Sequence, residues 1–263
     1  MSDDDALPAI VLAGGTAGPE LEALTGQSRR ALIQIHGRTL LTRVLDALQE
    51  SGSICRVLVV GDVPEDNRFE RVPDQGSFVS NVLAGLSALR EARYALITTS
   101  DLPFLTGDSV RGFLQPAMNL MKEEGSALVW PVVPIRICYE RYPGIRRTAL
   151  RTKEGYFTGG NLMLVRPEAL INVRDLLSET YAARKSILRL AGKLGVETMV
   201  RLLLSVLVSP KWLPLSYLEK RVSGLLGVPA RALVSTDATL ATDLDRVSDF
   251  MALGTGLSQE ERA

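Results

Sequence analysis

Residues 8–32 read PAIVLAGGTAGPELEALTGQSRRAL, and this stretch decides the fold of the chain. It opens with an apolar run at residues 9–13, which is too short for a helix and is typical of a strand buried on both faces. Gly14 and Gly15 follow, and without Cβ atoms they let the backbone turn and bring its N–H groups close to an anion. The loop then closes on two successive arginines. The stretch indicates either a phosphate site at the end of a first strand or a plain Gly-Gly turn.

The fingerprints of the commoner phosphate-binding loops are absent from the sequence. No G-x-G-x-x-G follows the first strand, and no G-x-x-x-x-G-K-[ST] occurs anywhere in the chain. These absences argue against a dinucleotide-binding Rossmann domain and against a P-loop NTPase.

Composition limits both the fold and the partners. With 263 residues, of which 46% are hydrophobic, the chain can bury a large core. Alternation of strand and helix patterns predicts an α/β core over residues 1–170 and 229–253. A run of helical patterns at residues 171–228 predicts a C-terminal helical insert, and residues 254–263 are expected to be disordered. Thirty basic residues balance thirty acidic ones, so we expect no nucleic-acid partner.

Few residue types remain available for chemistry. The single histidine, His36, argues against a histidine-based triad or a multi-histidine metal site, so chemistry would rest on carboxylates, cations and backbone groups. Cys55 and Cys138 lie in apolar, strand-like surroundings and are predicted to be buried free thiols, as suits a reducing compartment. The acidic start of the sequence lacks the apolar segment of a signal peptide, so we expect a cytoplasmic protein.

Asp101 is the leading candidate for a metal ligand. Residues 94–100 predict an interior strand, and Asp101 follows this strand at once, with Pro103 just beyond. A carboxylate at the carboxyl end of a central strand suits a divalent cation that bridges protein and triphosphate. The alternative is that Asp101 caps the next helix, but Thr106 is better placed for that role. Farther along, Pro131 within the strand pattern at residues 127–133 predicts an edge strand or a strand end.

Three runs of sequence resemble the MobA-like nucleotidyltransferases, which have a GT-A type fold. They are Leu-Ala-Gly-Gly at residues 12–15, Ser-Asp-Leu-Pro-Phe at residues 100–104 and Asp-Leu-Asp at residues 243–245. The family also places a basic residue, usually Lys, before a small residue and Leu in the opening loop, where this chain has Arg30. The resemblance implies a three-layer α/β/α sandwich with a mostly parallel sheet.

The resemblance also implies the site residues. Nucleotide binding would fall to Leu12, Ala13, Gly14, Gly15, Arg30, Gly76, Ser80 and Asn81. Acceptor binding would fall to Gly160 and Asn161, and Mg²⁺ binding to Asp101 and Asp245, with Asp243 beside the latter; Arg30 and Asp101 would be catalytic. Two alternatives stay open, because Ser77 or Ser80 could simply cap a helix and the residues around Gly160 could form a tight turn.

The function implied is Mg²⁺-dependent transfer of a nucleotidyl group from an NTP to a phosphorylated or otherwise anionic small-molecule acceptor, with release of pyrophosphate. One alternative is a glycosyltransferase of the same fold, which would typically show Asp-x-Asp where this chain has Asp-Leu-Pro. A second alternative is a non-catalytic nucleotide sensor, suggested by Arg30 and the long loop.

Two further regions allow more than one interpretation. Arg141, Arg146, Arg147 and Arg151 could bind an anionic second substrate, or they could form a solvated surface. The apolar stripes of the helical insert predict either a cap over the acceptor side or a homodimer face. The insert is too polar for a membrane span, and contact with a membrane surface through its Trp212 is not expected.

Overall fold

The structure is a computed structural model, and it describes residues 6–183, 198, 200, 201, 204, 205 and 209–252. Its strands, in chain order, are β1 (Leu7–Leu12), β2 (Gln34–Ile35), β3 (Arg38–Thr39), β4 (Ile54–Val60), β5 (Glu70–Val72), β6 (Ala95–Thr99), β7 (Leu128–Pro134), β8 (Leu150–Thr152), β9 (Gly155–Gly159), β10 (Leu162–Val165) and β11 (Ala230–Val234). Its helices are α1 (Pro19–Thr25), α2 (Leu40–Glu50), α3 (Phe78–Ala88), α4 (Gly107–Glu123), α5 (Ile135–Arg141), α6 (Pro167–Asn172), α7 (Arg174–Ala183) and α8 (Leu215–Leu226).

The described strands, apart from a small β2–β3 hairpin, form one mixed sheet. Its order is β5-β4-β1-β6-β10-β7-β9-β8, and β11 pairs with β7. The strands β5, β4, β1 and β6 are parallel neighbours, as are β7 and β11, whereas β10 is antiparallel to both β6 and β7. The prediction of a mostly parallel sheet is confirmed.

Side chains of β1 alternate between two cores, one on each face of the sheet. Ala9 and Val11 belong to the core that α2 and α4 cover, and Ile10 and Leu12 belong to the core on the α3 side. This alternation follows from the two-residue period of a strand, and burial on both faces explains why the run is continuously apolar. Helices on both faces give the predicted three-layer arrangement.

Hydroxyl side chains cap the helices that flank the site. Thr39 accepts a hydrogen bond from the backbone of the first turn of α2, Ser77 does so for α3 and Thr106 for α4. Each cap satisfies one of the N–H groups that a helix start leaves unpaired. The caps confirm that Thr106, and not Asp101, begins α4.

Two local predictions are wrong. Pro131 lies inside β7, at the point where the neighbour on one side changes from β10 to β9, so its missing N–H interrupts no continuous ladder on that side. On its other side Pro131 is paired with Leu233 of β11. Cys55 is exposed, because the first half of β4 extends beyond the apolar cover, whereas Cys138 is buried as predicted.

The two ends of the predicted insert pack against the core. Leu177 of α7 and Leu226 of α8 contact the apolar cluster on the α3 side of the sheet. Much of the segment between these helices lies outside the described residues, as do residues 253–263 with the predicted tail. The assignment of the insert as a cap or a dimer face therefore stays a prediction. None of the described helices is long and apolar enough to cross a membrane.

Candidate active site

A cleft of about 640 Å³ lies at the carboxyl ends of β1 and β6. Its walls come from the glycine loop after β1, the start of α3, the end of β6 and the loops that carry Asn161 and Asp243. This is the edge at which an open α/β sheet binds its ligands, because the loops after neighbouring parallel strands converge there.

The glycine loop is closed by hydrogen bonds between its two arms. The N–H of Ala17 donates to the carbonyl of Ser28 at 2.8 Å, and the N–H of Arg30 donates to the carbonyl of Gly15 at 3.0 Å. The space beside Gly15 is open, with no atom within 4 Å of where a Cβ would stand. The loop therefore holds the Arg30 backbone beside a glycine with room for a ligand.

Gly14 packs against a polar cluster in the opposite wall. A Cβ on this residue would lie 2.4 Å from Nδ2 of Asn81 and 2.8 Å from Oδ1 of Asp74. That Asp74 oxygen accepts hydrogen bonds from Nδ2 of Asn81 at 2.9 Å and from the N–H of Gly76 at 3.0 Å. The bond from Asn81, with help from Gly76 and from Arg29, lowers the pKa of Asp74 against the opposing effect of burial.

Three carboxylates meet at the other end of the cleft. One oxygen from each of Asp101, Asp243 and Asp245 lies within 4.8 Å of the others. The N–H of Leu244 donates to the carbonyl of Asp101 at 3.0 Å, which ties the Asp-Leu-Asp turn to the end of β6. The buried carboxylate of Asp249 accepts from the N–H of Asp245 at 3.3 Å and so fixes the same turn.

Two arginines neutralise part of this cluster. Nη1 of Arg30 lies 2.8 Å from Oδ2 of Asp101 and 2.6 Å from Oδ1 of Asp245. Arg147 is paired with Asp243, and burial lowers the pKa of its guanidinium although several carboxylates surround it. The three clustered carboxylates and the two guanidinium groups together leave one negative charge.

The residues present fit a divalent cation. Oδ1 of Asp101 is buried, and within the described residues no group donates a hydrogen bond to it. A buried carboxylate oxygen without a partner is costly unless a cation or a water satisfies it. Mg²⁺ binds through one or two carboxylates together with substrate phosphates, which matches this set of oxygens beside an open cleft.

Most of the predicted site residues line the cleft. They are Leu12, Gly14, Gly15, Arg30, Gly76, Asn81, Asp101 and Asn161. Asp245 is not among the lining residues, but its carboxylate belongs to the cluster with Asp101 and Asp243, which are.

Three further predicted residues lie outside the lining. Ala13 is fully buried, and its N–H donates to Val60. Ser80 lies in the first turn of α3, where its N–H donates to the hydroxyl of Ser77 and its own hydroxyl oxygen accepts from that hydroxyl. Gly160 packs tightly, since a Cβ there would lie 2.6 Å from Pro131 and 2.8 Å from the carbonyl of Leu240.

Sequence reasoning missed Asp74 and the individual role of Arg147. A carboxylate two residues before a glycine is an available signal for Asp74, since such a side chain bonds the backbone two positions on. Nothing in the sequence separates Arg147 from the neighbouring arginines. The four arginines do not act as one group, because Arg147 pairs with Asp243 whereas Arg151 lies over the ring of Tyr156 at 5.6 Å.

Comparisons with known proteins agree with this geometry. Residues 9–201 match the model of the MobA-like NTP transferase domain. A molybdenum cofactor guanylyltransferase of Rhodopseudomonas palustris is 36% identical over 123 residues, which are 42% of this chain and 54% of the relative. The match thus spans about half the length of that curated relative.

Two solved structures match this chain over a longer stretch. A hypothetical transferase from Thermus thermophilus is 34% identical, with a TM-score of 0.79, over 93% of this chain and 99% of the other. A 2-C-methyl-D-erythritol 4-phosphate cytidylyltransferase from T. thermophilus is 18% identical, with a TM-score of 0.54, over 95% of this chain and 98% of the other, and it supports the fold alone. With the family model matched over most of the α/β core and the cleft, this chain belongs to the MobA-like NTP transferase domain family.

Proposed function

We propose that this protein transfers a nucleotidyl group from an NTP to an anionic small-molecule acceptor, with Mg²⁺ bound and with release of pyrophosphate. The observation that carries the proposal is the shared cleft: the open backbone beside Gly15 and the side chain of Arg30 face the carboxylates of Asp101 and Asp245. One end of the cleft suits phosphate groups, and the other end suits the cation that accompanies them.

In this proposal each part of the cleft has a separate task. The turn at Gly14 and Gly15 receives the triphosphate on backbone N–H groups, and Arg30 adds a positive charge to it. Asp101 and Asp245 would hold the cation, which when bound neutralises charge on the phosphates. Asn161 lines the cleft next to this region and is proposed to orient the acceptor.

The reaction requires no protein nucleophile. An oxygen of the acceptor attacks the α-phosphorus in line, the bond between the α-phosphorus and the bridging oxygen breaks, and pyrophosphate leaves with the bond's electron pair. Any proton on the attacking oxygen passes to solvent. Catalysis of this kind rests on positioning and on charge neutralisation, which are the two properties that this cleft offers.

GTP is the proposed donor, because the curated relative with 36% identity is a guanylyltransferase. The test measures pyrophosphate release from ATP, GTP, CTP and UTP with Mg²⁺, in the presence and absence of pterin phosphates, sugar phosphates and alditol phosphates. Acceptor-dependent release from GTP is expected. Release from none of the four nucleotides with any of these acceptors would contradict the proposal, and nucleotide binding without release would support a sensor instead.

A further inference from the structure

We propose that Arg30 and the divalent cation exchange places on the same two carboxylates, so that Arg30 is the counter-ion of the site before nucleotide arrives. The inference rests on the proposed function, because it takes Asp101 and Asp245 to be the metal ligands. It goes beyond that function by assigning Arg30 two successive partners, the carboxylates first and the triphosphate second.

The geometry of a single nitrogen atom leads to this exchange. Nη1 of Arg30 contacts Asp101 at 2.8 Å and Asp245 at 2.6 Å, so it occupies the wedge between the two carboxylates. A cation held between these two carboxylates, with the unpartnered Oδ1 of Asp101 as a further ligand atom, would need that position. Metal binding by this pair therefore requires the guanidinium to leave.

The two arginines of the cluster differ in how freely they can leave. The side chains of Arg147 and Asp243 are only 10% and 16% exposed, so separating them would strand charges in a buried position. The side chains of Arg30 and Asp245 are 24% and 50% exposed, so water can replace their contact at small cost. The carboxylate of Asp101 is only 11% exposed, so Arg30 can leave it only when the cation takes its place there. Arg147 is thus the fixed counter-ion and Arg30 the exchangeable one.

Charge balance favours the exchange once an anion is present. With Asp243 paired to Arg147, the carboxylates of Asp101 and Asp245 carry two negative charges, and one guanidinium neutralises only half of them. A divalent cation matches both charges. The released guanidinium then needs a new anion, which the triphosphate supplies.

The new position requires motion of the Arg30 side chain only. Its backbone N–H bonds to Gly15 at 3.0 Å, beside the open space of the cleft, and its Nη2 already lies 3.4 Å from the carbonyl of Thr16. The loop itself is anchored by the preceding residue, because Arg29 pairs with Asp62 at 2.6 Å and with Asp74 at 3.1 Å. The consequence is positive coupling, in which nucleotide binding removes Arg30 and raises the affinity for metal.

The test is a titration of Mn²⁺ into nucleotide-free protein. The affinity for Mn²⁺ is measured by calorimetry and by the electron paramagnetic resonance signal of free Mn²⁺. Arg30→Gln should bind Mn²⁺ about tenfold more tightly than the wild type, within the usual range for coupled sites. Arg56→Gln is the matched control, because it removes the same charge from an ion pair with Glu70 outside the cleft lining. It should leave Mn²⁺ affinity unchanged.

A second measurement covers the case in which Arg30→Gln does not fold. The side-chain Nε–H resonance of Arg30 in the wild type, assigned by its loss in Arg30→Lys, should shift when Mg²⁺ is added without nucleotide.

The exchange would be overturned if folded Arg30→Gln bound Mn²⁺ with wild-type affinity. It would also be overturned if Mg²⁺ did not shift the Arg30 resonance. Absence of pyrophosphate release would instead overturn the proposed function, and the two outcomes are distinct because the metal titrations contain no nucleotide.

Discussion

Arg147 and Asp243 form a largely buried ion pair at the wall of the cleft, although 96 residues separate them in sequence. Asp243 belongs to the carboxylate cluster, so the same ion pair contributes to the stability of the fold and holds one carboxylate of the site in place. Removing one member of a buried pair costs more than removing both, because the charge that remains has no partner.

We expect Arg147→Met to lower the free energy of unfolding by about 3 kcal/mol, since Asp243 would lose its counter-ion while the apolar stem is kept. Urea unfolding followed by circular dichroism measures the change. The double variant Arg147→Met/Asp243→Leu should recover part of the loss.

Arg56→Met provides the comparison for an exposed pair. The side chains of Arg56 and Glu70 are 46% and 60% exposed, so their separation should have a small effect on stability. Equal losses in the single and the double variant at Arg147 would show that the unpaired charge of Asp243 is not the cause of the loss.

Asp74 should contribute stability that depends on pH. Hydrogen bonds, of which the one from Asn81 is the largest cause, hold its pKa below the ordinary value of 3.8. A group with a lowered native pKa stabilises the fold above its unfolded pKa, and this contribution is lost as the pH falls through the native pKa. We therefore expect Asp74→Asn to reduce the pH dependence of Tm below about pH 4.

The measurement compares the thermal unfolding of Asp74→Asn and the wild type between about pH 5 and pH 2. Asp108→Asn is the control, because the Asp108 side chain is 90% exposed. The two variants and the wild type should be compared at constant ionic strength. Parallel curves for Asp74→Asn and the wild type would contradict the assignment.

Gly14 and Gly15 should respond differently to the same substitution. We expect Gly14→Ala to lower the free energy of unfolding by about 1–3 kcal/mol, because the new methyl group would overlap Asn81 and Asp74. Gly15→Ala should change stability little, since a Cβ at that position meets no atom within 4 Å. Thermal unfolding of both variants measures the difference. Equal Tm values would show that Asn81 and Asp74 can shift to accommodate the methyl group without loss of stability.

The sequence predicts those parts of the site that follow directly from strand ends. The apolar run before Gly14 and the strand before Asp101 identify two adjacent parallel strands, whose following loops must converge. Asp245 was predicted as a metal ligand only from the resemblance to a family. The periodicity of the sequence does not indicate which distant turn packs against the end of β6.

Side-chain pairing across long separations could not be predicted in the same way. Arg30 contacts Asp101 and Asp245 across 71 and 215 residues, and these contacts depend on tertiary packing that local patterns do not encode. The two wrong predictions also depend on tertiary surroundings. Pro131 fits inside β7 because the neighbouring strand changes from β10 to β9 there, and Cys55 is exposed because the first half of β4 extends beyond the apolar cover.

Asp101→Asn should abolish turnover while the fold remains intact. The amide keeps the shape of the side chain but removes the negative charge, and its Nδ2 cannot bind a cation. Arg30 retains Asp245 as a partner at 2.6 Å, so no charge is left unpaired by the change. Pyrophosphate release should fall by about a hundredfold or more, the scale of losing a preorganised electrostatic contact.

The measurement is pyrophosphate release from GTP over a range of Mg²⁺ concentrations, together with circular dichroism spectra and Tm for each variant. Asp108→Asn serves as the control, because it removes a carboxylate from the first turn of α4 without touching the cleft. It should keep wild-type turnover. If Asp101→Asn turns over near the wild-type rate with the same Mg²⁺ dependence, Asp101 is not a metal ligand, and the orphaned Oδ1 in the structure must serve a different partner.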